Sequence, residues 1–334
     1  MLKVGVIGCG GMGRDHIKRI TNKIQGAEVV AVSDVFEEGA KKAAAICGAK
    51  VYTDGKDLIQ DPDVEAVFIV SPGFAHVEDL LGAIEAGKRI FCEKSLCTTA
   101  EDCLKVVNAE VASGKHLIQV GFMRRYDKAY KQVKEALVSG EYGEPLMIHA
   151  THRNPEVGTS YTTPMAVHDT AIHEIDVLHW LIDDDFESVQ VITPRVTKYS
   201  HSELKDPQIL LMRTKKGICI DVEVFVNCKF GYDINTEVVC EDGAIKMAQA
   251  QYPEIRKNAA NAVTVDTDCF VRFEDAFDTE IQSWVDCAAD QVIDGPTAWD
   301  GYLASITADA LVKAQETGGI EKVVAAVEQP TFYR

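Results

Sequence analysis

At 334 residues, 46% hydrophobic and 26% charged, the chain is long enough for two domains with substantial cores and lies in the ordinary globular range. A formal net charge of −18 opposes association with nucleic acid or an anionic membrane, because every encounter would begin with repulsion. No apolar run reaches membrane-span length, Met1-Leu2-Lys3-Val4 enters a strand without a leader pattern, and the ten cysteines show neither C-x-x-C nor paired zinc-ligand spacing; a cytoplasmic protein with reduced, buried thiols is expected.

The first apolar run, Leu2 to Gly8, ends in Gly8-Cys9-Gly10-Gly11-Met12-Gly13 and leads into an amphipathic segment through Ile24. Strand, tight turn and helix come in the order of a dinucleotide fingerprint. Gly8 permits the turn, Gly10 lets backbone approach a pyrophosphate, and Gly13 allows close helix packing. The amides of the helix start, from Gly11 and Met12 on, then bind the anion. A second strand, Glu28 to Ser33, ends in Asp34, 21 residues past Gly13. An acid there accepts hydrogen bonds from an adenosine ribose and repels the extra phosphate of NADP, and Val35 and Phe36 bring no arginine to compensate, so NAD is expected. The same carboxylate is also compatible with an N-cap ahead of Glu37 and Glu38.

The alternation continues with a helix Glu37 to Cys47, a strand near Val51, a buried strand Val64 to Val70, a helix His76 to Ala86, a strand Arg89 to Cys92, a helix Ala100 to Ser113 and a strand His116 to Gly121. Such repetition implies a parallel sheet wound on both faces, with ligands at the carboxyl ends of its strands. Ser71, Pro72 and His76 follow one strand and Glu93-Lys94 the next, which makes all five candidate cofactor contacts. A charged pair directly after a buried strand belongs at the sheet edge, although a surface salt bridge accounts equally well for Lys94. Arg124 and Arg125 mark the exit from this domain, one directed to the cleft and the other solvated. The domains are placed at 1–123 and 124–334.

After a helix Asp127 to Ser139 the pattern turns to strands. Pro145 to Arg153 puts His152 and Asn154 on one face and His149 and Arg153 on the other, so the H-x-x-H spacing cannot converge on one metal. A helix from His168 to Ile182 carries Asp169, His173, Asp176 and Trp180 on one stripe and Ile172, Ile175, Leu178 and Ile182 on an apolar face. Asp169 one turn before His173 is a candidate general-base pair; taken alone, an ordinary helix-surface pair is the commoner explanation. Further strands are expected at Val189 to Thr197, Gln208 to Thr214, Gly217 to Asn227, Tyr232 to Cys240 and Ala262 to Phe273, in a largely antiparallel sheet. Phe225 on an otherwise polar face suggests self-association, or simply one exposed aromatic. Helices Asp275 to Ile293 and Thr297 to Thr317 close the chain. The fold class is α/β, an N-terminal doubly wound Rossmann sheet followed by a C-terminal α/β domain.

Gly8 to Gly13, Asp34, Glu93-Lys94, Gly121 to Asp127, His152-Arg153-Asn154, Asp169 to Trp180, Gly231-Tyr232-Asp233 and Gly295 to Tyr302 together resemble the glucose-fructose oxidoreductase, inositol dehydrogenase and MocA family, most of all its bacterial inositol 2-dehydrogenases. The resemblance spans the chain. It implies NAD(P) dependence, a large open sheet in the second domain, a homotetramer assembled through such sheets, and a catalytic group of Lys94, Asp169 and His173. It also implies polyol-facing roles for Arg124, His152, Asn154 and Tyr232. The implied reaction is NAD-dependent oxidation of a cyclic polyol, nearest to myo-inositol, with scyllo-inositol or a pyranose as alternative substrates and an inactive NAD(H)-binding sensor as the alternative of another class. One departure is Ser95, where the family motif has proline; a trans Lys94–Ser95 bond, or a shifted loop, is expected.

Overall fold

The computed structural model describes residues 1–248, 252–288, 290 and 292–334. The chain divides into two units, one of residues 1–122, 277–305 and 325–334, the other of 123–276 and 306–324. Two C-terminal segments thus belong with residues 1–122 in the first unit. Packing explains the return of residues 277–305, because Ile281, Trp284 and Val285 belong to the same buried cluster as Val4, Val6, Val32, Phe68 and Phe91.

In the first unit, β1 (Leu2–Ile7), α1 (Gly11–Asn22), β2 (Ala27–Ser33), α2 (Glu37–Cys47), β3 (Lys50–Tyr52), α3 (Gly55–Gln60), β4 (Ala66–Ile69), α4 (His76–Glu85), β5 (Arg89–Glu93), α5 (Ala100–Ser113) and β6 (Ile118–Gly121) alternate. All strands pair in parallel in the order β3-β2-β1-β4-β5-β6, so the order reverses between β1 and β4. The helices stop and start where their chemistry demands it. Thr99 accepts from the Asp102 amide to begin α5, and Gly48, at φ 75°, ends α2 by donating to the Ala44 carbonyl. The helix α3, absent from the sequence reading, is begun by Asp54, which accepts from the Lys56 amide. Phe68 and Phe91 stack at 4.5 Å, Trp284 meets Phe68 edge-on at 5.0 Å, and the Arg89 guanidinium lies over the indole.

The second unit opens with α6 (Lys128–Val138), whose Asp127 N-cap accepts from the amides of Ala129 and Tyr130. Then come β7 (Pro145–Arg153), a π-helical turn Ala166–Ala171, α7 (Ile172–Ile182), β8 (Phe186–Ile192), β9 (Gln208–Thr214), β10 (Cys219–Phe225), β11 (Asp233–Cys240), β12 (Ala244–Lys246), β13 (Glu254–Lys257), β14 (Ala260–Val263), α8 (Cys269–Arg272), α9 (Glu274–Asp286), which passes into the first unit at Phe277, α10 (Ala298–Thr317), which leaves that unit at Ile306, and β15 (Ile320–Lys322). The sheet runs β12-β11-β7-β10-β9-β8-β15, antiparallel throughout except for β7 with β10. One face is buried through Ile148, Ala150, His152, Ile220, Val222 and Val224.

Two expectations change here. Ala262 to Phe273 is not one strand: β14 ends at Val263, and Asp268 starts α8 by accepting from the Val271 amide. The helix expected to reach Ile293 ends at Asp286, and positions 289 and 291 lie outside the described residues.

Candidate active site

In the first unit the glycine loop leaves β1 at Gly8, whose φ of 96° and whose nearness to the Ser71 amide, 2.5 Å from an added Cβ, exclude any other side chain. At Gly13 an added Cβ would lie 1.9 Å from the Gly8 carbonyl oxygen, so the helix packs directly on the turn. Gly10 and Gly11 differ. Among the described residues a Cβ on either meets no atom within 4 Å, so none of their packing requires glycine there. That is the condition for backbone to be approached from outside, and the N-cap of α1, Gly10, makes no side-chain capping bond. Met12 is half-buried in the same turn.

Asp34, at the end of β2, accepts from the Cys9 amide at 2.8 Å and from the Phe36 amide at 2.9 Å. It therefore braces the glycine loop and forms a local turn, and the N-cap of α2 is Phe36. These features suit a dinucleotide: an open glycine cradle, an uncapped helix start and a carboxylate oriented at the second strand end.

The ends of β4 and β5 carry the other candidates. Ser71 is half-buried, Pro72 exposed, and the His76 ring is buried against backbone carbonyls. Glu93 is buried; the ring of His16 donates to it through Nε2 at 2.7 Å, and its second oxygen accepts from the Lys94 amide at 3.2 Å. His16 was not singled out in the sequence. Its signal is position, since it lies in α1 among the buried Gly13, Ile17 and Ile20, where a polar ring needs an internal partner. The rings of Phe68, Phe91 and Phe277 surround it edge-on. The Lys94–Ser95 bond is cis, not trans as expected. The loop's course is held by the Ser95 and Leu96 carbonyls, both turned to His76.

In the second unit Asp169 is exposed in the π-helical turn and His173 is half-buried in the first turn of α7. Asp169 also faces Tyr161, whose hydroxyl pKa is pushed up by burial first and by the Asp169 charge next. The stripe expected to run on through Asp176 does not remain one surface. Asp176 is buried and accepts from Arg125 Nε at 3.0 Å, so Arg125 is paired, not solvated.

Arg124 is buried too, with its guanidinium paired to Glu174. His152 donates through Nδ1 to the other Glu174 oxygen at 2.8 Å, and Arg124 Nη2 lies 3.1 Å from that nitrogen. Burial raises the pKa of the Glu174 carboxyl, but the charges of Arg124 and His152 outweigh it and hold the group below its usual range. The same pairing carries Arg124 upward against its own burial. Tyr232 packs edge-on to His152 at 5.8 Å, and the rings of His152 and His173 are 6.5 Å apart.

The structure thus brings His152, His173, Tyr232 and Arg124 together, with Arg124 packed against His152. Asn154 is half-buried just past β7, its backbone bonded to Phe225 and Cys228. Glu174, like His16, was missed in the sequence reading. It sits three, four and seven positions before Val177, Leu178 and Leu181, on the apolar side of the helix, where a carboxylate requires a buried cation.

Residues 2–122 match the model of an oxidoreductase family with an NAD-binding Rossmann fold, and residues 130–246 match a GFO/IDH/MocA C-terminal domain. The inositol 2-dehydrogenase of Ralstonia nicotianae is 49% identical over 335 residues, which covers 100% of this chain and 99% of that protein. The crystal structure of myo-inositol dehydrogenase from Lactobacillus casei in complex with NAD(H) and myo-inositol is similar at a TM-score of 0.97 and 43% identity over 100% of both chains. That of scyllo-inositol dehydrogenase from Lactobacillus casei, with bound NAD(H) and scyllo-inositol, is similar at 0.91 and 27% identity, over 97% of this chain and 99% of that one.

Proposed function

Because the chain belongs to the GFO/IDH/MocA family of NAD-binding oxidoreductases, we propose that it oxidises one ring hydroxyl of a cyclic polyol, and specifically myo-inositol to 2-keto-myo-inositol (scyllo-inosose) with NADH as co-product. The observation that carries this reading is the full-length likeness, at 43% identity, to an enzyme whose structure holds both NAD(H) and myo-inositol. NAD, when bound, supplies the hydride acceptor. Gly8 to Gly13, with the start of α1, hold the pyrophosphate, and Asp34 takes the adenosine ribose.

His173 removes the hydroxyl proton, Asp169 orients His173 and supports its charge, and Lys94 donates a hydrogen bond to the substrate oxygen as alkoxide character develops. His152, Asn154 and Tyr232 receive the remaining hydroxyls, and Arg124 supports His152. Incubation with NAD and a panel of inositol stereoisomers and aldoses, with NADH followed by absorbance, tests the reaction. Turnover of myo-inositol is expected, and its loss in His173→Ala with unchanged NAD affinity. Unchanged turnover in that variant removes the proposed base.

A second substrate has a specific observation in its favour, the likeness to a scyllo-inositol dehydrogenase; preferential oxidation of that isomer or of a pyranose would replace myo-inositol. No NADH from any member would favour an NAD(H)-binding sensor. Self-association to a homotetramer through the open face of the second sheet belongs to the same reading. That face carries Met147, Ile209, Leu211 and Phe225 among its ion pairs. Light scattering of the purified protein measures it, and cell fractionation tests the cytoplasmic location.

A further inference from the structure

Three backbone carbonyls converge on one imidazole at the carboxyl edge of the first sheet. His76, 1% exposed at the start of α4, places Nε2 2.6 Å from the Ser71 oxygen. Its Nδ1 lies 2.9 Å from the Ser95 oxygen and 3.2 Å from that of Leu96. Carbonyl oxygens only accept. A neutral imidazole has one N–H, so its other nitrogen would turn a lone pair toward an oxygen lone pair at hydrogen-bonding distance. We propose that His76 is a positioning residue of the cofactor site: an imidazolium that ties the loop after β4 to the loop after β5 and thereby sets the backbone course of Lys94 and Ser95.

The surroundings decide whether such a charge can stand. Burial weighs most and holds the pKa of the ring below its usual value, and the three carbonyls and the charge of Glu93 offset it in part, so the clamp closes on the acid side of that value. Cys92 Sγ is 3.4 Å from Nδ1, and its thiol, driven well up by burial, adds no charge. On the same helix Glu78 and Asp79 occupy the first turn, and burial pushes Asp79 up to about 6.

The location gives the clamp its function. β4 is the strand next to β1 where the order reverses, and a dinucleotide lies across the strand ends there. Loss of one ring proton leaves a single donor for two loops, so one loop is released. The sign follows: cofactor affinity is high while His76 is protonated and falls as pH rises through its folded pKa.

The role, though not the charge, rests on reading the first unit as an NAD site, so the two are measured separately. In histidine-labelled protein without cofactor, with His76→Gln identifying the resonances, both His76 nitrogens are expected in the protonated range of the ¹⁵N spectrum near about pH 5.5. One protonated nitrogen overturns the proposal. NADH affinity is then titrated without polyol from about pH 5.5 to 8.5, in the parent, in Asp79→Asn and in His76→Gln, whose amide donates from one end only.

In the parent and Asp79→Asn, affinity is expected to track the protonation of His76, falling by about tenfold where the ring deprotonates, and His76→Gln is expected to be about tenfold weaker than the protonated parent. Affinity indifferent both to the ring proton and to His76→Gln overturns the positioning role. NADH binding to none of the three at any pH overturns the reading of the first unit, and the role with it.

Discussion

Glu174 shows how much depends on one carboxylate. It is the shared partner of Arg124 and His152, and all three are buried. Glu174→Gln leaves a guanidinium inside the protein without its counter-charge, which costs about 3 to 5 kcal/mol. Urea unfolding should show that loss, and a second change, Arg124→Met, should recover part of it, because an apolar side chain needs no partner. Arg124 and His152 stood out by position at a domain exit and on a strand face, and took polyol-facing roles only through resemblance, whereas their carboxylate was hidden by helix periodicity, which reads position 174 as part of an apolar face. Asp61 gives a second prediction at this scale. The Tyr52 hydroxyl first, then the Asp63 amide and Lys50, hold its carboxyl down at about 2. A folded pKa below the unfolded value of about 3.9 contributes stability that is present above that value and lost as pH falls toward about 2. The stability difference between the parent and Asp61→Asn should therefore shrink between about pH 4 and 2 in denaturant melts.

At the scale of elements the glycine turn is the least forgiving. Gly13→Ala places a methyl group 1.9 Å from the Gly8 carbonyl oxygen and 3.0 Å from its carbonyl carbon, backbone atoms that cannot swing aside as the end of a side chain can. A loss of NADH binding is expected, with destabilisation of more than about 3 kcal/mol in thermal or urea unfolding. The parallel half was readable because buried strands and amphipathic helices alternate with clear glycine and capping signals. The misread elements share a cause, which is that local capping chemistry prevailed over hydrophobic pattern. Asp54 starts a helix too short to show periodicity, and Asp268 starts another inside a stretch whose alternation reads as strand. The opening of the Asp169–His173 helix was misjudged differently. A wheel at 100° per residue assumes α geometry, but residues 166–171 wind as a π-helix, so the stripe through Asp169 does not continue unbroken into α7.

For the whole molecule the decisive fact is that the first unit is not continuous in sequence. Residues 1–123 contain every strand of the parallel sheet but lack Ile281, Trp284 and Val285 from its core cluster. Expressed alone, that segment should be poorly soluble and expose apolar surface to a hydrophobic dye, and supplying residues 277–305 through a linker should reverse both. A cooperative, dye-free 1–123 would show the returning segment to be dispensable. The sequence could not reveal this, because Trp284 reads as one more apolar position on an amphipathic helix and nothing in its neighbours says which sheet it covers.

The returning helix also sets an order of events in the cell. All six parallel strands have been synthesised once Gly121 is made, but Trp284 follows roughly 160 residues later, which at ordinary elongation rates is roughly ten to thirty seconds. Throughout that interval Phe68 and Phe91 have no indole against them on the nascent chain. The ribosome therefore presents a sheet with one apolar patch uncovered, and the yield of native protein should depend on holdase chaperones and on translation speed between codons 122 and 284 more than on either end of the message.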